Sequence, residues 1–165
     1  MKTAYGFAIL STATLAFTAC QSRAPSSAQF TAADEAEVRG LFDSTGTRVS
    51  AGRWADWAGE FTDSAVMQPA NQKALHGRPA VLAYGQAFPP LEQFSMWDVQ
   101  VRGDGNLAYG TSAIGMKMKG APADTAKQLV VFQRNPAGRW EVVAVSVNSD
   151  RPPAPPPPTP AAPKK

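Results

Sequence analysis

From Phe94 to Asp150 the chain offers four strand-like runs with no helical stretch between them, and this constrains the fold more than any other feature. In Phe94 to Arg102 the residues Trp97, Val99 and Val101 alternate with Met96, Asp98 and Gln100, the two-residue period of a half-buried strand. Gly103-Asp104-Gly105-Asn106 supplies a turn, and Leu107 to Lys119 forms the next run. After a loop holding Gly120 and Pro122, Ala126 to Arg134 and Arg139 to Asp150 make a last pair joined by Asn135-Pro136-Ala137-Gly138. Parallel neighbours need long crossovers, and none is available here, so the sequence predicts an antiparallel sheet.

The helical periodicity lies ahead of these strands. Thr31-Ala32-Ala33-Asp34 has the form of a helix-capping start, and Val38, Leu41, Phe42, Thr45 and Val49 then recur at offsets of three and four until Gly52. Trp54, Trp57 and Phe61 continue that spacing as a second, shorter helix. Ala65, Val66 and Met67 make a short strand within Asp63 to Pro69. A third helix opens at Gly77-Arg78-Pro79, where proline suits the first turn, and runs through Val81, Tyr84 and Phe88 to Pro89-Pro90. Helices first and a meander of strands afterwards is an α+β pattern.

The two ends have a different character. Residues 1–19 carry Lys2 and then an apolar run from Ala4 to Phe17, too short for the roughly 20 apolar residues that span a bilayer and suited to a secretory signal peptide. The run ends in Phe17-Thr18-Ala19-Cys20, which resembles a bacterial lipoprotein box with Phe17 in place of the usual leucine. That resemblance implies a diacylglycerol on Cys20. With Gln21 rather than aspartate next, it also implies an outer-membrane protein facing the periplasm. Cleavage after Ser26-Ser27-Ala28 is the competing expectation and would release a soluble or secreted protein. Residues 20–29 read as the lipidated cysteine and a polar tether, 30–150 as the one globular domain, and 151–165, with eight of the fifteen prolines, as a disordered extended tail.

Sorting the charges by segment removes one class of partner. The whole chain is formally +3, yet residues 34–150 hold 11 basic against 13 acidic side chains, a net of −2. The excess of positive charge belongs to the appendages, so nucleic acid is not an expected partner, and the membrane is expected to be met only through the lipid anchor. One cysteine and one histidine exclude a disulfide framework and a zinc site of several Cys and His ligands.

Several phrases, taken in order, resemble the nuclear-transport-factor-2-like superfamily, and within it the SnoaL-like bacterial branch. They are Gly52-Arg53-Trp54-Ala55-Asp56-Trp57, Phe61-Thr62-Asp63-Ser64-Ala65-Val66-Met67, Gly77-Arg78-Pro79-Ala80-Val81, Asp104-Gly105-Asn106-Leu107-Ala108-Tyr109, Gly138-Arg139-Trp140-Glu141-Val142 and Asn148-Ser149-Asp150. The resemblance covers residues 31–150. It implies a cone in which three N-terminal helices pack on the concave face of a strongly curved antiparallel sheet, with a pocket at the wide end and a homodimer formed through the outer sheet face. The activity does not follow, because such a fold hosts isomerases, cyclases, dehydratases and bare binding modules.

Acid/base work in such a pocket needs a carboxylate base near an apolar substrate and a phenol or protonated acid to hold an enolate. Asp63, Asp98 and Asp150 are the acids available, and Tyr84 and Tyr109 the phenols; Asp63, Asp98 and Tyr84 are the catalytic candidates. Asp63 equally suits a capping carboxylate at a strand start, and Asp98 points either into the pocket or into water. Trp54, Trp57, Met67, Tyr84 and Trp97 suit a stacking wall for a flat ligand, with Asn148 as its polar handle, or plain core packing. His76 precedes a helix entrance, a place suited to a solvated or capping ring, and Arg102-Gly103-Asp104 falls where a turn already calls for glycine and aspartate. No nucleophile elbow, Ser/His/Asp set or phosphate loop is present, and no cofactor or metal is expected.

Two functions fit these residues. One is an envelope-anchored module that binds a small apolar molecule. The other is a SnoaL-like or ketosteroid-isomerase-like isomerase, cyclase or dehydratase that works by cofactor-free general acid/base catalysis. The address is directly testable. Mass spectrometry of the mature protein is expected to find a diacylglycerol thioether on Cys20 as the first residue, and an unmodified chain starting at Gln29 would overturn the lipoprotein reading.

Overall fold

The computed structural model describes residues 29–152, so the signal, Cys20, most of the tether and nearly all of the proline-rich tail lie outside the described residues. Helix α1 runs Ala32–Ser50, α2 Trp54–Ala58 and α3 Arg78–Gln86; the strands are β1 Phe61–Gln68, β2 Leu75–His76, β3 Leu91–Asp104, β4 Leu107–Met118, β5 Asp124–Arg134 and β6 Trp140–Ser149. The architecture is α+β with one six-stranded sheet in the order β2-β1-β6-β5-β4-β3. The four strands after Pro90 form the expected antiparallel meander. The sheet as a whole is mixed, which corrects the all-antiparallel expectation: β1 lies beside β6 in parallel, Met67 opposite Val145. The long crossover that parallel pairing needs is there after all, because everything from α3 to β5 separates the two strands in sequence.

Helix α1 starts where the capping pattern places it. The Asp34 amide donates to Thr31 Oγ1 at 3.3 Å, and Asp34 Oδ2 accepts from the Thr31 amide at 2.9 Å, a reciprocal box. Asp34 is buried and does more than cap. Its Oδ1 pairs with the Arg134 guanidinium at the end of β5 and accepts from Trp140 Nε1 at 3.4 Å. Arg134 lies over the Trp140 ring, 4.7 Å from its centroid, and Phe30 meets that ring edge-on. One carboxylate therefore ties the helix start to the β5–β6 hairpin.

Further along α1, Phe42 packs edge-on against Phe132 of β5, with centroids 5.7 Å apart. It lies so close over Gly110 of β4 that a Cβ there would sit 2.6 Å from the ring, so the glycine is a packing requirement. Val38, Ala65, Val81, Val101 and Ala108 are almost entirely buried in the same core. The second helix is shorter than its periodicity predicts. It stops at Ala58, and Phe61 opens β1 instead.

Two bulges set which side chains of the sheet face this core. Between Trp97 and Gln100 of β3 there is one residue more than between Ala113 and Thr111 of β4, and Asp98 within the bulge has φ +55°. Val143 is the extra residue in β6, opposite the Val131–Phe132 step of β5. Each bulge shifts the inward-outward alternation by one position.

The Asp34 network carries a pH signature. The Thr31 amide, the Thr31 hydroxyl, Arg134 and Trp140 together lower its pKa from 3.8 to about 2, against the opposing effect of burial. A depressed carboxylate contributes stability that is complete above its unfolded pKa and is lost as pH falls toward the folded value. Thermal melts between pH 5 and pH 2 are expected to show a steeper loss for the wild type than for Asp34→Asn, which starts lower and declines less.

Candidate functional site

An apolar pocket lies between the helices and the sheet, and every element except β2 contributes to its wall. Thr45 and Val49 reach it from α1, Trp54 and Trp57 from α2, Met67 from β1, and Tyr84 and Phe88 from α3 and its exit. The sheet adds Leu91, Phe94 and Met96 of β3, Ile114 and Met116 of β4, Gln128 of β5 and Val147 of β6. A second lobe continues past Phe61, Val130 and Val145 toward Phe42 and Phe132. Thr45, Trp57, Met67, Gln128 and Val147 border both lobes and form the waist between them. Outward, Tyr84, Phe88, Met116 and Val147 are shared with an open mouth that also involves Asn71, Pro89 and Asp124.

The aromatic wall is held by its own packing. Trp54 stacks on Phe88 at 5.8 Å and meets Trp57 edge-on at 5.9 Å, and Tyr84 stands edge-on to Phe88 at 5.0 Å. Trp54 reaches this place because α3 has Gly85 beneath it, where a Cβ would come within 2.8 Å of the indole. The inward positions of β5 are Ala126, Gln128, Val130 and Phe132, so Gln128 is the polar member of an apolar row. Its Nε2 donates to Ser112 Oγ at 2.9 Å and to Met96 Sδ at 3.2 Å. Thr45 is likewise the polar member of the α1 stripe. Its hydroxyl donates to Glu60 Oε2 at 2.5 Å, and Glu60 is buried, accepts from Ser44 Oγ at 2.6 Å and pairs with Arg48.

The sequence candidates divide clearly. Trp54, Trp57, Met67 and Tyr84 line the cavity together. Trp97 does not, because the β3 bulge puts it on the outer face, 42% exposed, with its ring over Gly115. Asn148 is exposed on the outer side, next to inward Val147, as the β6 bulge requires. Asp63 stands in solvent with its side chain 92% exposed and pairs with Arg78 at 3.3 Å. Asp98 is exposed at the bulge. Asp150 is held by Lys127 and Thr125 outside the cavity, and these hydrogen bonds keep its carboxyl below the usual range. His76 is exposed in β2, and Arg102-Gly103-Asp104 ends β3, with Gly103 under the Phe30 ring, ahead of the turn at Gly105-Asn106.

The chemistry of the walls is correspondingly restricted. Neither lobe is bordered by an Asp, Glu, His, Lys, Arg or Cys among the described residues, and Tyr84 is the one titratable group in the central lobe. Burial raises its phenol above the ordinary range, so it is neutral at physiological pH. Asp124 at the mouth is engaged with Ser149, the Thr125 amide and Arg151. No group of three or more potential metal ligands occurs among the described residues.

No known protein family and no curated protein matches the sequence. Solved structures do match its shape. A protein of Pseudomonas putida KT2440, described as NTF2-like and of unknown function, superposes with a TM-score of 0.65 at 19% identity over 72% of this chain and 87% of that one. The fold is NTF2-like. A ketosteroid isomerase-like protein of Erwinia carotovora atroseptica SCRI1043 gives 0.60 at 13% identity, over 71% of this chain and 96% of its own. ActVI-ORFA of Streptomyces coelicolor gives 0.59 at 15%, over 70% and 97%. At these identities the likeness extends to the NTF2-like fold with its pocket and not to the chemistry inside it.

Asp98 offers a clean separation of structural from catalytic roles. With φ at +55°, glycine is expected to be tolerated there, whereas valine should cost about 1–2 kcal/mol. Denaturant melts of Asp98→Gly and Asp98→Val check this, and a valine variant as stable as the glycine variant would overturn the backbone argument.

Proposed function

We propose that this protein binds a small apolar molecule in the cavity and holds it without transforming it. The observation that carries the reading is a two-lobed apolar cavity, open at a mouth, whose lobes are lined among the described residues by no acid or base apart from a neutral phenol. Apolar area removed from water supplies the affinity, at roughly 25 cal/mol per Å² before the cost of immobilising the ligand. In this reading the NTF2-like fold is a cone, with its helices against the concave side of the sheet. Phe17-Thr18-Ala19-Cys20 supports a lipid anchor at the outer membrane, facing the periplasm, with a soluble periplasmic or secreted form as the alternative. The outer sheet face, with Trp97, Tyr109 and Leu129 exposed, is the surface proposed for a homodimer.

The enzymatic alternative draws on Tyr84 and on the neighbour described as ketosteroid isomerase-like. The carboxylate that shares the mouth with that phenol, Asp124, is engaged with Ser149, the Thr125 amide and Arg151, and Asp63 and Asp98 stand in water. A neutral fluorescent probe, N-phenyl-1-naphthylamine, is expected to bind the mature protein and quench tryptophan emission, and Met116→Trp should weaken it about tenfold by filling the passage to the mouth. Deuterium exchange α to a bound cyclic ketone should stay at the buffer rate. Accelerated exchange that disappears in Tyr84→Phe would favour the enzyme.

A further inference from the structure

The polarity of the waist restricts which apolar molecule fits. Thr45 and Gln128 are its non-aromatic polar side chains, one from α1 and one from β5, and each has its donors already committed. The Thr45 proton lies in the 2.5 Å hydrogen bond to Glu60 Oε2. Glu60, paired with Arg48, is an acceptor only, so the hydroxyl cannot turn round without leaving a buried carboxylate oxygen short of a partner. Thr45 Oγ1 therefore has no proton to offer a ligand and can only accept.

Gln128 reaches the same condition by a different route. Both Nε2 protons are engaged, one by Ser112 Oγ and one by Met96 Sδ. The sulfur fixes the orientation of the amide, since a thioether accepts a hydrogen bond from N–H and gains nothing from a carbonyl oxygen. Gln128 Oε1 accepts no hydrogen bond from the described residues and is not among their sealed, unpartnered atoms. It is an acceptor open to the cavity.

We infer that the ligand carries a hydrogen-bond donor, a hydroxyl or N–H, which seats at the waist between Thr45 Oγ1 and Gln128 Oε1 while its apolar body lies against the aromatic wall. This rests on the reading of the cavity as a ligand site. A ketone or ether of the same shape brings lone pairs to lone pairs there and leaves buried polar atoms unpaired on both sides. The preferred class is thus a cyclic alcohol, phenol or secondary amine in place of a carbonyl compound. This selectivity runs against enolate chemistry, which would require donors aimed at the enolate oxygen.

The test uses one bicyclic skeleton in two oxidation states, 2-tetralol and 2-tetralone, with affinities for the full mature protein measured by calorimetry. The alcohol is expected to bind roughly threefold to tenfold tighter, the worth of a net hydrogen bond. Thr45→Val and Gln128→Leu should each shrink that ratio toward one while keeping affinity for the ketone, and Thr45→Ser, which retains the hydroxyl, should preserve it. Melting curves confirm that each variant is folded. Equal or tighter ketone binding, or an alcohol preference unchanged in both Thr45→Val and Gln128→Leu, overturns the inference. Binding of N-phenyl-1-naphthylamine without any alcohol preference removes this inference alone, whereas failure of all three probes removes the binding function as well.

Discussion

The bulge at Asp98-Val99 is the constraint on which the cavity depends. A strand of 14 residues would otherwise show one parity to the core throughout, and β3 changes parity twice, first at the Leu91/Gln93 shift and again here. Before the bulge Phe94 and Met96 face the cavity; after it Val99 and Val101 face the core beneath α1. Val143 does the same for β6, taking the inward set from Trp140 and Val142 to Val145 and Val147. Without these two insertions the outward row, with Trp97 and Asn148, would turn inward and the inward row would meet water.

Two buried carboxylates lie outside the lining of both lobes. Asp34 and Glu60 are the buried acids, and each is consumed in holding α1. Asp34 fixes the helix start to Arg134 and Trp140, and Glu60 gathers Ser44, Thr45 and Arg48 near its end. A buried charge must be paired and hydrogen-bonded, and both are. Glu60 still acts on the cavity at one remove, through the direction of a single hydroxyl proton.

Periodicity in the sequence located the helices and the meander because those features are local. The capping box at Thr31 and Asp34, the stripe through Thr45, and the turns after Asp104 and Arg134 all occupy places a short window predicts. The parallel β1–β6 pair is not local, and nothing in Phe61–Gln68 tells which partner it takes. The bulges are invisible for a related reason. An alternation read backward from Val99 and Val101 assigns Trp97 to their face, and one extra residue reverses that assignment. Trp54 and Trp57 were legible as sharing a side, since aromatic side chains at helical spacing face a common side, and they border the cavity with Met67 and Tyr84. Gln128 and Thr45 were legible only as exceptions, polar residues in rows otherwise apolar, and their meaning lies in hydrogen bonds to Ser112, Met96 and Glu60 that no spacing reveals.

The contact between Arg39 and the β3 bulge bears on how the molecule behaves at high concentration. Strands β2 and β3 are the two edges of an open sheet, and an edge with a row of unpaired amides and carbonyls is a template for another chain. On one side the edge is two residues long. On the other, Val99 has no partner on β4, and its carbonyl accepts from Arg39 Nη1 at 2.8 Å, while Asp98 interrupts the ladder with a charge. Growth of the sheet by strand addition is thus obstructed at both ends, and crowded copies are left to meet through side chains rather than by fusing backbones into a fibril.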